Sequence, residues 1–350
     1  MASKVPAAED VIEAAGSADQ LIGLASASAP LAVYGQQVYP ELPAALAVVL
    51  AVGALTAARP RAGSVLLFGA AVSALPWLSV KYVPVAAALT VLAGYRWWRD
   101  GHRVLIGRVA AGLAAMAMLY LVVHRLVWGG WTVYASGDHF QQSGEFGVVG
   151  FHPDYLGRAL RLVGLLVDRD YGLVPWQPGW LLLVPALAAA VFLWWQARRT
   201  GDPDRAGQWG TAVLGWPLLA GWLVATFVAI TMTGFWWPGR QVVVVLPLAL
   251  LLILRWLAVA GPVPQRIAAM LGAIGVLSYG LVLVDGYQRE ITWVSGFEQV
   301  DNPGYAFVRL LLPDYQGQFW VLHLVWLAIM VALAVAVIAT HHNRNEPTRK

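Results

Sequence analysis

Apolar residues in this chain gather into long, nearly unbroken runs separated by short polar connections, with little of the strict alternation expected of half-buried strands. A run of about 20 apolar residues suits a helix that crosses a bilayer, because only a helix or a closed barrel satisfies every backbone amide within hydrocarbon. About nine such segments can be read. They are Pro43–Ala58, Ser64–Ser79, Tyr82–Trp97, Leu105–Trp128, Gly179–Gln196, Thr211–Thr233, Gln241–Ala258, Ile267–Asp285 and Trp320–Thr340. The pattern predicts an all-α, polytopic transmembrane bundle. The first three segments are short and closely spaced, which favours tilt or partial burial.

The basic residues between the runs give this bundle a direction. Arg59 and Arg61, then Arg96, Arg99 and Arg103, then Arg198, Arg199 and Arg205, then Arg266, then Arg344, Arg349 and Lys350 occupy alternate connections. Under the positive-inside rule these connections are cytoplasmic, with the N-terminus outside and the C-terminus inside. Arg255, near the end of its run, is expected to snorkel to the cytoplasmic surface. The expected organisation is an acidic, Ala/Ser-rich segment (1–36), four spans (37–128), an outer loop (129–178), five spans with an outer loop at 286–319 (179–340), and a cytoplasmic tail (341–350).

Composition supports the membrane reading: 59% of residues are hydrophobic, 12% are charged and mean hydropathy is +0.64. The net charge of +4 follows from topology signals, with no basic patch or stripe for nucleic acid. With no cysteine, disulfides, thiolate metal sites and thiol nucleophiles are excluded. The segment Glu9–Leu31 is read as an outer-surface helix or the remnant of something longer. Its start lacks the basic and apolar regions of a signal peptide.

In the outer loop, Asp154 is placed to cap a helix over Tyr155–Val167. There Leu156, Leu160, Val163 and Val167 line one face and Arg158 and Arg161 another, the mark of an interfacial helix. Asp168-Arg169-Asp170-Tyr171-Gly172 ends it, and its charges read as a local ion-pair cluster that holds the loop down.

On this topology all carboxylates other than Asp100, Asp202, Asp204 and Glu346 lie outside, which suits longer polar loops or an outward-facing site. Lys81, between the second and third spans, Arg125, in the last turn of the fourth, and Arg240, opening the seventh, share one depth at the outer interface. They are either snorkelling anchors or a set converging on the phosphate of a membrane-embedded ligand, to which Arg brings a fork and Lys a point charge. Asp138-His139 and His152-Pro153-Asp154 pair imidazole with carboxylate, as general acid–base chemistry requires. The alternatives are an ordinary polar loop or a divalent metal site, for which the ligands are too few. Phosphate-cradling and nucleophile-elbow motifs are missing, so an ATP-driven pump is not expected.

Four stretches, in order, carry a resemblance: Gln37-Val38-Tyr39-Pro40-Glu41-Leu42-Pro43-Ala44-Ala45, Leu75-Pro76-Trp77-Leu78-Ser79-Val80-Lys81-Tyr82, Leu165–Pro178 with Asp170-Tyr171-Gly172-Leu173, and Trp237–Pro247 with Gly239-Arg240 and Leu246-Pro247. Over about residues 30–340 the chain resembles actinobacterial-type polytopic membrane proteins related to the GT-C glycosyltransferases. The resemblance implies an outward-facing cavity, a polyprenyl-phosphate-linked sugar as donor, and inverting transfer to a glycan, lipid or protein. A Leu-His-x-Arg-Tyr form associated with such proteins stands here as Leu78-Ser79-Val80-Lys81-Tyr82, without the His and with Lys for Arg. The acidic first outer loop of that class has no counterpart ahead of Tyr39, which implies loss of an N-terminal part.

The expectation is therefore a GT-C-like membrane glycosyltransferase, or its C-terminal portion, at the outer face of the plasma membrane. Asp138, His139 and Asp154 are its candidate acid–base residues, and Lys81, Arg125 and Arg240 its lipid-phosphate contacts. No resident cofactor is expected; the expected partners are membrane lipid, the lipid-linked sugar and, as a further candidate, a second membrane protein. The rival is a non-catalytic scaffold or a transporter of lipid-linked glycans. Transport is disfavoured because the span centres hold few ionisable groups, with Pro217 and Pro247 as the main interruptions.

Overall fold

The computed structural model describes residues 18–57, 59–131, 154–200, 205–229, 231–234, 236–292, 300, 303–317 and 320–345. Among these residues regular structure is helical throughout, with no strand. The long helices are α1 (Glu41–Thr56), α2 (Ala62–Leu78), α3 (Val83–Arg99), α4 (Arg103–Trp128), α5 (Leu183–Thr200), α6 (Arg205–Leu223), α7 (Leu246–Ala260), α8 (Pro262–Tyr287) and α9 (Trp320–Asn345). Each segment read as a span overlaps one of these helices, although the helical part of Thr211–Thr233 ends at Val228. Among the described residues six stretches are long and apolar enough to cross a membrane, namely Arg103–Trp128, Pro178–Arg199, Gly207–Val228, Arg240–Ala260, Pro262–Tyr287 and Trp320–His342. The chain is a multi-pass membrane protein. Helices α1 and α2 are apolar but shorter than those six.

Small residues set how closely the helices pack. On α1, Ala44, Ala47, Val48 and Ala51 are buried, and this smooth face lets the backbone approach α2 and the 3-10 segment Arg240–Val245. That segment joins α7, where Pro247 lies in the first turn. Proline supplies no N–H, so the tighter ladder gives way to the α-helix at the one place where the missing donor costs nothing. Pro217 lies inside α6, which continues into a π-helical turn at Val224–Val228.

The N-terminal segment, read as an outer-surface helix or the remnant of something longer, packs into the protein at its end nearest α1. Residues 18–26 are helical, Leu31–Tyr34 forms a further short turn, and Ala25, Ser28 and Ala29 are buried. Gln177, itself buried, donates to Ser28 Oγ (2.6 Å) and to the Gly272 carbonyl (3.3 Å), tying this segment to α8. Arg255, expected to snorkel, is engaged within the protein. Its guanidinium donates to the Gly207 carbonyl at 2.7 Å and lies where a side chain at Gly210 would otherwise be, so it locks α7 to α6.

The helix after Asp154 is broken at Leu160 into Tyr155–Ala159 and Arg161–Val167, and Asp154 caps it by accepting the Gly157 N–H at 2.9 Å. Leu156 and Leu160 are exposed, as an interfacial helix requires, but Val167 is buried. The arginines turn toward protein rather than toward water. Arg158 donates to the Phe227 carbonyl (2.8 Å) and Arg161 to the Ala229 carbonyl (2.7 Å). They satisfy carbonyls that the end of the π-turn leaves open, at the negative end of the helix dipole.

Candidate functional site

Pro40 precedes α1 and places Glu41 in its first turn, where the partial positive charge of the helix N-terminus favours a carboxylate. The carboxylate is fully buried. Two cations meet its Oε1: the Lys81 ammonium at 3.1 Å, from the turn between α2 and α3, and Arg240 Nε at 2.7 Å, from the start of the segment leading into α7. Oε2, equally buried, has no hydrogen-bond partner among the described residues. Such an orphan is uncommon, because an unpaired buried acceptor forfeits its hydration without return.

Backbone geometry aims Arg240 at this oxygen. Gly239, at φ +80°, turns the chain out of Trp237-Pro238, and a side chain there would strike Leu173. The guanidinium then lies over the rings of Tyr39 (4.3 Å) and Trp236 (5.2 Å). Only its Nε is hydrogen-bonded among the described residues, and the side chain keeps 20% of its exposure, so the Nη fork remains open to a ligand. The Lys81 side chain is 19% exposed. Burial pulls its pKa below the ordinary lysine value, and the neighbouring Glu41 opposes that pull.

Tyrosines enclose the cluster. Tyr34 donates to the Trp237 carbonyl at 2.7 Å, and the buried Tyr82 hydroxyl has no hydrogen-bond partner among the described residues. With two cations against one carboxylate, the assembly carries an excess positive charge beside two unmatched acceptors or donors. The two cations suit a tetrahedral oxyanion, since Arg and Lys make charge-assisted bonds to phosphate, while the unpaired Glu41 Oε2, itself an acceptor, calls for a donor such as a hydroxyl.

Two of the three expected lipid-phosphate residues, Lys81 and Arg240, are thus brought together. Arg125 is not: it is exposed on α4 and donates to the Gly129 carbonyl at the end of its own helix. Shared depth did not mean convergence. Beside Arg125, His124 is buried, hydrogen-bonded to the Tyr120 carbonyl (2.9 Å) and packed on the Tyr120 ring, which meets Trp77 edge-on. Of the acid–base candidates, Asp138 and His139 lie outside the described residues, and Asp154 is engaged as a helix cap. No group of three or more metal-ligating side chains occurs among the described residues.

A second charged cluster, around Asp168, has the role expected of it. Asp168 accepts three backbone N–H groups, from Asp170 (3.0 Å), Tyr171 (2.6 Å) and Tyr315 (2.9 Å). Asp170 binds Arg309 (2.9 Å), the Tyr305 hydroxyl (3.2 Å) and Arg169 (3.4 Å), while Arg169 also reaches Asp314 (2.6 Å). Burial pushes the Asp168 carboxyl up to about 6, against the three N–H donors that pull it down. These bonds tie the segment after Val167 to the segment 303–317.

Glu41 was visible in the sequence only as part of a Tyr-Pro-Glu-Leu-Pro stretch. The signal that could have singled it out is positional: an acid opening an apolar helix at the end where Lys81 and Arg240 also lie. No protein-family model matches the chain, and no curated protein or solved structure matches it either.

Proposed function

We propose that the chain is a membrane-embedded glycosyltransferase of the GT-C-like kind, which takes a polyprenyl-phosphate-linked sugar at the outer face of the plasma membrane. On this reading all nine long helices span the membrane, with the N-terminus outside, the C-terminus inside, and the Glu41 cluster at the outer interface. The observation that carries the proposal is the pair of cations held on one buried carboxylate oxygen, with the Arg240 fork unengaged.

Glu41 would keep Lys81 and Arg240 charged and in place. The donor phosphate would take the Arg240 fork, its sugar or first prenyl unit lying against Tyr39 and Trp236. Negative charge grows on the phosphate oxygens as the sugar–phosphate bond breaks, and fixed cations stabilise that charge more than they stabilise the ground state. Activation of the acceptor hydroxyl would fall to an acid–base group of the outer loop, with the Asp138 carboxylate and the His139 imidazole as the candidates.

A binding-only role, as a scaffold beside a complete transferase, draws on a separate observation: Asp154 is already committed to capping. One experiment addresses both. Arg240→Lys keeps a charge for Glu41 but removes the fork. In purified protein, a polyprenyl-phosphate hexose should raise the melting temperature of the wild type, and Arg240→Lys should weaken that binding about tenfold or more, equivalent to roughly 1.4 kcal/mol. Equal binding by both proteins removes the phosphate assignment. Binding without sugar transfer to any acceptor selects the scaffold.

A further inference from the structure

At the opposite end of the bundle from Glu41, α3, α5 and α6 diverge and leave a groove of about 940 Å3. One end of it is basic and aromatic. Arg99 lies over the Trp209 ring (5.9 Å) and Arg198 over the Trp194 ring (4.0 Å), and all four residues line the groove. Asp100 offsets part of this charge, pairing with Arg99 at 3.1 Å and with Arg96 at 3.5 Å. Arg198 pairs with no carboxylate among the described residues. Two arginines, Arg99 and Arg198, line the groove and no carboxylate among the described residues does, so its mouth is positive.

From that mouth the groove runs between helices into apolar surface. Val91 lies eight residues before Arg99 on α3, about 12 Å deeper at helical rise. Ala212 and Trp216 continue the opposite wall on α6. Val91 and Trp216 are strongly exposed, at 70% and 54%, although they belong to apolar helices. A charged mouth, interfacial tryptophans and an unfilled apolar trough match an amphiphile in size and polarity.

We propose that this groove is a binding site for one anionic membrane phospholipid, whose phosphodiester lies between Arg99 and Arg198 and whose acyl chain occupies the trough past Val91 and Trp216. Charge complementarity selects the headgroup: paired arginines attract an anionic lipid and gain less from a zwitterionic one. The site does not depend on the sugar-lipid reading of the Glu41 cluster, which lies at the other end of the helices.

The test uses the purified full chain in a neutral detergent, titrated with dioleoyl phosphatidylglycerol, dioleoyl phosphatidylcholine or inorganic phosphate. Native mass spectrometry and melting temperature are the readouts. Phosphatidylglycerol should remain bound as one copy and raise the melting temperature. Arg99→Gln/Arg198→Gln should weaken it at least tenfold. Val91→Trp, which fills the trough at an exposed position and leaves every charge in place, should weaken it as well. Arg103→Gln/Arg266→Gln removes as many charges at the same end, outside the groove, and should bind as the wild type does. Equal binding of phosphatidylcholine, an equal shift with inorganic phosphate, or an equal loss in the control double variant would each overturn the proposal.

Discussion

Around Asp168 both carboxylate oxygens accept backbone donors, whereas at Glu41 two cations crowd one oxygen and the other faces no donor among the described residues. Both clusters stitch distant parts of the chain together and both are buried. They differ in how completely they are closed. The Asp168 knot balances its acids with Arg169, Arg309, a tyrosine hydroxyl and backbone N–H groups, so an added ligand would have to displace a bond already made. The Glu41 cluster keeps surplus positive charge and an open guanidinium fork. Saturation marks a structural tie, and residual unsatisfied charge marks a place for something else to bind.

Glu41→Gln should have the largest effect on this contrast. It leaves Lys81 and Arg240 close together with no counter-ion, and breaking a buried pair from one side costs roughly 3 to 5 kcal/mol. The melting temperature should fall by many degrees, and a phosphate-bearing lipid should restore much of the loss by supplying the missing anion. If the variant melts as the wild type does, the carboxylate does not hold the cations, and the distinction between the clusters collapses.

Asp168→Ala should come next, since it strands three backbone donors at a cost of roughly 1 to 3 kcal/mol for a buried unsatisfied group. Here added phosphate lipid should restore nothing. The wild-type knot also carries a pH signature. Because the Asp168 carboxyl is raised to about 6 in the folded state, the native protein holds a proton that the unfolded chain has lost. Its contribution to stability is complete below about pH 4, the ordinary carboxyl range, and is lost as pH rises through about 6. The difference in melting temperature between wild type and Asp168→Asn should shift across that window, and a constant difference would assign the pH dependence elsewhere.

How far the sequence carried this picture depended on the range of the interaction. The helices were legible because continuous apolar runs and turn residues are local signals; the observed α4 begins at Arg103 against the expected Leu105, and both end at Trp128. Lys81 and Arg240 were legible as cations at helix ends. Their shared partner was not, because Glu41 is 40 residues from Lys81 and 199 from Arg240, and no local pattern encodes that meeting. The same holds for Tyr315, whose N–H reaches Asp168 across 147 residues, and for Gln177, which finds Ser28 across 149. Charge at the end of an apolar run states depth, while the partner is set by helix packing.

Arg125 tests that last point with the smallest expected effect. It shares its predicted depth with Lys81 and Arg240, yet its guanidinium bonds a carbonyl of its own helix end and remains exposed. Arg125→Ala removes a helix-end cation, an interaction worth about 0.3 to 1 kcal/mol at an exposed position, and no contact with the Glu41 cluster. The melting temperature should move by a degree or two, and the affinity for a polyprenyl-phosphate sugar should stay within about twofold of wild type, less than 0.5 kcal/mol. A tenfold loss of affinity would mean that α4 swings its end toward Lys81 when ligand arrives. The phosphate site would then have three cations, with the gap between α2 and α4, lined by Trp77 and Met116, as the space through which that movement closes.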